Sequence, residues 1–325
     1  MKPLMTIVMP AYNASRYLSE SIESVLNQTF KDFQLLIIDD GSTDNTSDIA
    51  RRYCQQDSRV KLVSQTNQGV SLTRNQGICL TDSKLIAFLD ADDKWFPDKL
   101  ASHIAHFHEN LNLGISFTKV EFLTPDGKHT GHISSASLNK LQPEHFLYEN
   151  PTITVSNLVV RREVFQEIAP FDRNMNYAED LDFLLRVSCS DRWQIEGINK
   201  VLMGYRTSES GLSSNLERME EGWEAVISKA RKYNPDLVNR HYLKARSTHL
   251  RYLARRAFRL HLPSQVAANY MTRALLSDWK LILREPRRTL LTILAVYSKH
   301  LFTILTFTPF STKPKQPSLQ TKTQE

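Results

Sequence analysis

Four short apolar runs, separated by stretches of helical periodicity, constrain the fold of this chain more than any other feature. Met5–Met9, Phe33–Ile38, Val60–Val63 and Leu85–Leu89 are each of strand length, and the second and fourth are apolar nearly throughout, as in strands buried on both faces. Between them, Leu18, Ile22, Val25 and Leu26 recur at spacings of three and four, and Val70–Leu80 reads as another helix. Asn13 or Ser15 caps the first helix, and Ser42, Thr43 and Asp44 are all able to cap the next. A further helix is expected near Pro97, because proline suits a first turn. This alternation predicts a mostly parallel sheet with helices on its faces, whose C-terminal strand ends gather the ligand.

From about residue 114 to 206 the pattern is mixed. Ile115–Phe122, Thr152–Val160 and Val201–Arg206 read as strands, and Glu179–Cys189 as a helix with acidic residues in its first turn. After Glu217 the chain becomes helical and basic. Residues 1–228 hold 22 Lys and Arg against 31 Asp and Glu, a balance of −9, whereas residues 229–325 hold 19 against 4, a balance of +15. Such asymmetry predicts an acidic working domain joined to a basic segment that meets an anionic partner; the plainer alternative is a solvated helical face.

Arg251, Arg255, Arg256 and Arg259 form a stripe at helical spacing. Arg284, Arg287 and Arg288 precede Leu290, Leu291, Ile293, Leu294, Leu301, Phe302, Ile304 and Leu305. Basic residues followed by apolar helix suit attachment to an anionic membrane surface; an ordinary helical subdomain packed on the catalytic part is an equal alternative. No nucleic acid is expected as a partner, since aromatic residues are sparse on the stripe. Thr289–Phe310 is interrupted by Ser298-Lys299-His300, so neither half reaches the roughly 20 residues of a spanning helix.

At 325 residues the chain is longer than one core usually grows. The expected division is a catalytic domain over 1–216, a basic helical region over 217–310 and a disordered tail over 311–325. Cys54, Cys79 and Cys189 lie far apart without a CxxC pair, which argues against a disulfide framework or a thiolate zinc site. With a start unlike a signal peptide, the expected location is cytoplasmic, peripheral on the cytoplasmic face of the membrane.

Polar clusters follow the predicted strands. Pro10-Ala11-Tyr12-Asn13 follows the first, Asp39-Asp40 the second and Asp90-Ala91-Asp92-Asp93 the fourth, while Glu179-Asp180 opens a later helix. Unpaired carboxylates are costly to bury, so these are surface turns or ligands for a hard cation and a polar substrate. Asp-x-Asp after a strand suits Mg²⁺ or Mn²⁺, which take oxygen ligands and share them with phosphates. Neither G-x-x-x-x-G-K-[ST] nor G-x-G-x-x-G occurs in the sequence. Asp44 and Asp82 read as a cap and a turn, Trp95 and Phe96 as sugar-pocket or core residues. His103, His106 and His108 read as surface helix, and Trp193 as structural.

The ordered set TIVMPAYN, LLIIDDGSTDNT, NQGVSLTRNQGI, LIAFLDADDKWFPDKL and AEDLDFLLR, across residues 4–215, resembles a family 2 glycosyltransferase of GT-A fold. The resemblance implies inverting transfer of a sugar from a nucleoside-diphosphate donor, commonly a UDP-sugar; the basic, apolar tail favours a glycan or lipid-linked acceptor in cell-envelope polysaccharide synthesis. It places Pro10 and Tyr12 at the base pocket, with Asp40 accepting a hydrogen bond from the base and Asp39 supporting the same turn. Arg74 lies near the nucleotide, Asp90 faces the ribose and Asp92 binds the metal. Asp180 is the implied catalytic base, and Glu179 positions the acceptor. The family's Tyr-Arg-x-His is here Tyr205-Arg206-Thr207-Ser208, which puts a third metal ligand in doubt. A sugar nucleotidyltransferase would bring a glycine-rich phosphate loop that residues 8–20 lack. A catalytically idle nucleotide-sugar-binding or membrane-scaffold protein is the other alternative.

Overall fold

The computed structural model describes residues 2–175, 177–207 and 214–307. The elements of its first part follow in chain order: β1 (Met5–Ala11), α1 (Leu18–Leu26), β2 (Phe33–Asp39), α2 (Thr46–Gln56), β3 (Val60–Ser64), α3 (Val70–Cys79), β4 (Leu85–Phe88), β5 (Lys94–Trp95), α4 (Lys99–Glu109), β6 (Leu113–Leu123), β7 (His129–Ile133), α5 (Pro143–Tyr148), β8 (Val159–Arg161), α6 (Arg162–Glu167), α7 (Glu179–Ser188) and β9 (Gln194–Arg206). Helices α8 (Leu216–Tyr233), α9 (Pro235–Arg259), α10 (Ser264–Ser277), α11 (Leu281–Arg284) and α12 (Pro286–Phe307) complete the described residues.

One curled sheet runs β3-β2-β1-β4-β8-β6-β9-β5, with β7 paired on β6. The first four strands are parallel, as their alternation with helices requires; β8 joins β4 antiparallel, and β6 and β9 run parallel to each other. Because side chains alternate along a strand, β1 feeds two cores. Met5, Ile7 and Met9 pack with Leu18, Ile22 and Val25 of α1, whereas Val8 joins Ile38, Phe88, Phe183 and Trp223 on the other side. Full burial of each such side chain stabilises the fold by about 1.5–3 kcal/mol. Gly77 lets α3 press on β1, for a Cβ there would lie 2.3 Å from a Val8 methyl.

The basic region packs firmly at its near end. Trp223, Val226, Ile227 and Ala230 of α8 and Val238 and Ala245 of α9 belong to the core beneath the sheet. Farther out, Leu250, Leu253, Met271, Leu281 and Val296 form a separate helical core. Among the described residues no helix is long and apolar enough to cross a membrane.

Several local expectations are corrected. Thr152–Val160 is not a strand: a 3₁₀ turn at Val155–Asn157 precedes the three-residue β8. There Asn157 is buried, its amide donating to Thr118 and Thr152 carbonyls, which bends the chain before pairing resumes. Helix α4 starts at Lys99 behind Asp98, leaving Pro97 outside the first turn. His103 is fully buried rather than on a surface, hydrogen-bonded to Ser116 at 2.7 Å, with His106 on the same hydroxyl. The arginine stripe is broken, because Arg251 is buried and paired with Glu285 at 2.8 Å. Trp193 packs in the core with its Nε1 donating to Glu167, the structural role expected. The tail over 311–325 lies outside the described residues.

Candidate active site

Parallel strands β1, β2 and β4 deliver three of the four polar clusters to one edge of the sheet. In register, Pro10 lies beside Ile38 and Ala11 beside Asp39, and the backbone N–H of Asp40 donates to the Ala11 carbonyl at 2.8 Å. Two loops are clasped just beyond. Asn13, in the left-handed region at φ +48°, accepts from the Thr43 N–H at 2.8 Å, and its own N–H donates to Ser42 Oγ. Tyr12, on the first of these loops, is 54% exposed.

Asp39 and Asp40 are both buried. One Asp39 oxygen accepts from the Ser42 N–H at 3.0 Å, which holds the turn after β2. Asp40 accepts from Gln65 Nε2 and the N–H groups of Gln68 and Gly69, at 2.7–2.9 Å. Its carboxylate is therefore already engaged in shaping the 65–69 loop. Any contact with a base is left to a remaining lone pair.

Arg74, on α3, joins two clusters that sequence left separate. Its Nη2 donates to Asp90 and its Nη1 to Glu179, both at 2.7 Å, and the side chain is almost wholly buried. Burial opposes its charge, but Asp90 and Glu179 prevail and hold its pKa above the ordinary value. A guanidinium suits this position because its planar fork reaches two carboxylates in fixed directions.

Past β4 the chain turns sharply. Ser21 Oγ donates to the carbonyls of Ala91 and Asp93, and the Asp90 N–H donates to Ser156 Oγ. Asp92 is half-buried, and its carboxyl pKa is pushed up to about 6 by burial and then by the neighbouring charge of Asp90. Asp93 differs: it is 1% exposed and accepts from the Arg206 N–H at 2.9 Å, so it pins β9 rather than facing a ligand. Burial, followed by Asp92 and Asp90, raises its pKa well above the carboxylate range, and its second oxygen has no hydrogen-bond partner. Trp95 is core, its Nε1 donating to the Ser156 carbonyl, while Phe96 stacks on His129 at 5.9 Å.

The fourth cluster starts α7 behind Ala178, a non-glycine residue at φ +58°. Asp180 accepts from Asn150 Nδ2 at 2.6 Å on one oxygen and from the Leu181 N–H at 2.7 Å on the other. Burial and then the adjacent Glu179 lift its pKa to about 7. This is where a carboxylate changes charge near neutral pH and can accept a proton.

Asn150, Arg206 and Ser156 were not singled out by sequence reasoning. Arg206 had a signal, the Tyr-Arg pair, and its Nε donates to the Asp92 carbonyl at 2.7 Å. Asn150 and Ser156 had none, since each acts from a segment distant in sequence. Among the described residues no three His, Cys, Asp or Glu side chains converge in a way that would hold a metal ion. Ser208, at the position of the family's histidine, lies outside the described residues.

The profile of Glycosyl transferase family 2 matches residues 6–169. A Bacillus subtilis (strain 168) protein provisionally named teichuronic acid biosynthesis glycosyltransferase TuaG is 29% identical over 249 residues, covering 75% of this chain and 92% of that one. An uncharacterized glycosyltransferase of Rickettsia bellii is 33% identical over 203 residues, 62% of this chain but only 28% of the relative's length. In fold, the chain is similar to S. aureus TarS 1-349 in complex with UDP-GlcNAc, at TM-score 0.56 and 17% identity over 86% of this chain and 88% of that one. It is similar also to the mannosyltransferase PcManGT from Pyrobaculum calidifontis in complex with GDP-Man and Mn²⁺, at TM-score 0.58 and 16% identity over 93% and 88%. The profile match across half of the sequence, on a sheet of the kind these structures share, shows that the chain belongs to glycosyl transferase family 2, as a glycosyltransferase of GT-A fold.

Proposed function

We propose that this glycosyltransferase moves a sugar from a uridine diphosphate donor to a hydroxyl of a glycan or lipid-linked acceptor, by one inverting displacement. The observation that carries the reading is the Arg74 bridge, which fixes the end of β4 against the start of α7. A donor on the first and an acceptor on the second would then meet at a set distance. Tyr12 offers its exposed ring to the base beside Pro10, Asp39 and Asp40, and Asp90 faces the ribose. Asp180 takes the proton from the attacking hydroxyl, on the side opposite the leaving diphosphate, and Glu179 orients the acceptor.

A divalent cation fits at Asp92. That carboxyl is kept high by burial and a like charge, against a hydrogen bond from its own backbone, and no side chain pairs with it at salt-bridge distance among the described residues. A single protein carboxylate, with diphosphate and water completing the shell, is a common arrangement for Mg²⁺. Mg²⁺ or Mn²⁺ bound there would stabilise the charge gathering on the leaving diphosphate.

The acceptor reading includes a place. Along α12, Arg287, Leu290, Leu291, Leu294, Leu301 and Phe302 are exposed at helical spacing, while Thr289, Thr292 and Val296 face inward. The helix carries basic residues and no acidic one. An apolar outer face with this charge suits an anionic membrane surface, where a lipid-linked acceptor resides.

A donor panel tests the reading. Nucleotide release from UDP-, GDP- and dTDP-sugars should depend on Mg²⁺ or Mn²⁺ and favour one UDP-sugar. Asp92→Ala should weaken donor binding, whereas Asp180→Ala should abolish turnover and spare it. Equal donor-binding losses in both variants would remove the division of roles, and a product with retained anomeric configuration would remove the single displacement.

A further inference from the structure

Four arginines crowd the junction of α9, α12 and the segment after α5. Arg251, Arg255 and Arg259 are spaced one turn apart on α9, and Arg288 lies in the first turn of α12. Arg251 is fully committed, donating to Thr289 Oγ1 at 2.9 Å and to Glu285 at 2.8 Å. Arg288 meets Glu149 at 3.1 Å and Glu285 at 3.5 Å, and donates to Ser135 Oγ at 3.1 Å. Two carboxylates thus serve four guanidiniums, and Glu285 is shared.

Arg255 is the residue left over. It is half-buried, and no hydrogen bond or ion pair engages its guanidinium among the described residues. Burial, then the charges of Arg259, Arg288 and Arg251, push its pKa down, with Glu149 opposing. A partly desolvated cation among like charges is costly until an anion joins it. The start of α12 adds the positive end of a helix.

The junction is tied to the candidate base by three consecutive residues. Tyr148 hydrogen-bonds His241 of α9 and lies 3.8 Å beneath Lys244, Glu149 pairs with Arg288, and Asn150 donates to Asp180 at 2.6 Å. The donor's diphosphate belongs at Asp92, so a second anion here is most economically the acceptor's. We propose that Arg255, with Arg259 and Arg288, binds a phosphate group of the acceptor while the acceptor's hydroxyl reaches Asp180. The site rests on the reading of Asp180 as base for its role, but not for its affinity. Arginine forks bind phosphate oxygens in pairs, which fits a lipid-linked or polymer-borne phosphate ester.

The test is calorimetric titration of the full chain with farnesyl diphosphate, a soluble lipid diphosphate, in chelator and without nucleotide. Arg255→Gln should weaken binding about tenfold, the worth of one charge-assisted contact. Arg255→Lys should weaken it less, and Arg231→Gln, which alters a cation on α8, should leave it unchanged. Arg255→Gln should unfold at an equal or higher temperature, because repulsion is relieved. Equal affinity in wild type and Arg255→Gln overturns the proposal, as does competition between farnesyl diphosphate and UDP for one site. A second arm uses vesicles of about one-third phosphatidylglycerol. If Arg255→Gln impairs vesicle binding alone, the arginines read membrane headgroups and the acceptor assignment fails. Titration needs no turnover, so an enzyme silent on every donor leaves the phosphate site standing. An active enzyme with a flat titration removes the site alone.

Discussion

Asp180, the proposed base, illustrates how a single residue's environment would set activity and stability together. Its pKa of about 7 in the folded protein exceeds the 3.8 of an unperturbed aspartate, so the unfolded chain releases this proton first as pH rises. The stabilising contribution is full below about pH 4 and lost progressively as pH climbs to about 7. A base must be ionised, so kcat/KM should rise through pH 7 and level off above it, while the same titration lowers the unfolding temperature. Asp180→Asn should reduce kcat at least about a hundredfold yet raise the midpoint of thermal unfolding at pH 8. A midpoint that drops instead would show that the carboxylate is held by favourable contacts rather than against burial. Arg74 makes the opposite case. Arg74→Ala leaves Asp90 and Glu179 without their buried partner and should cost about 3–5 kcal/mol in denaturant unfolding. Arg74→Lys keeps the charge but not the fork, so its loss should fall mainly on turnover.

Between elements, the site depends on how α3 and α7 are pressed against the sheet. Gly77 is where α3 meets β1, with Val8 methyl and backbone-adjacent carbons 2.3–3.1 Å from a built Cβ. Gly77→Ala should displace α3, and Arg74 with it, lowering stability by about 1–3 kcal/mol as measured by urea unfolding. If activity falls further than stability explains, the Arg74 bridge has been pulled out of line. The parallel half of the sheet was readable because its strands are continuous apolar runs; the expected caps were not found, since α1 and α2 start behind Tyr17 and Asn45 without a side-chain cap. The second half was less so. Asn157 occupies a position that reads as strand, but its hydrogen bonds reach across the fold to Thr118 of β6 and turn the chain instead. Strands β5 and β7 were missed because two residues, or a fully exposed polar ribbon, give no periodic signal.

Across the described residues, the acidic and basic halves share a core, in which Val238 and Ala245 of α9 pack with the sheet and α7. Lys229 of α8 reaches Asp172 at 2.6 Å and Asp182 of α7 at 2.8 Å, and Arg273 of α10 pairs with Glu220 of α8. Packing on the catalytic part and an apolar outer face on α12 are therefore compatible. Leu291→Glu combined with Leu294→Glu should abolish co-sedimentation with anionic vesicles while leaving nucleotide release in solution unchanged. Retained sedimentation would place membrane contact elsewhere.

Sequence alone determined the alternation of strand and helix, and with it a parallel sheet whose acidic ends collect on one edge. It also named nearly every carboxylate that lies there, because charges after an apolar strand have few other uses. It could not say which of these would be ligands and which would be pinned. Asp92 and Asp93 are adjacent and chemically identical, yet Asp93 is bonded to β9 while Asp92 meets only its own backbone. Only tertiary structure decided that. Burial and charge pairing depend on groups that arrive from far along the chain: Arg206 at Asp93, Arg74 between Asp90 and Glu179, and Asn150 at Asp180.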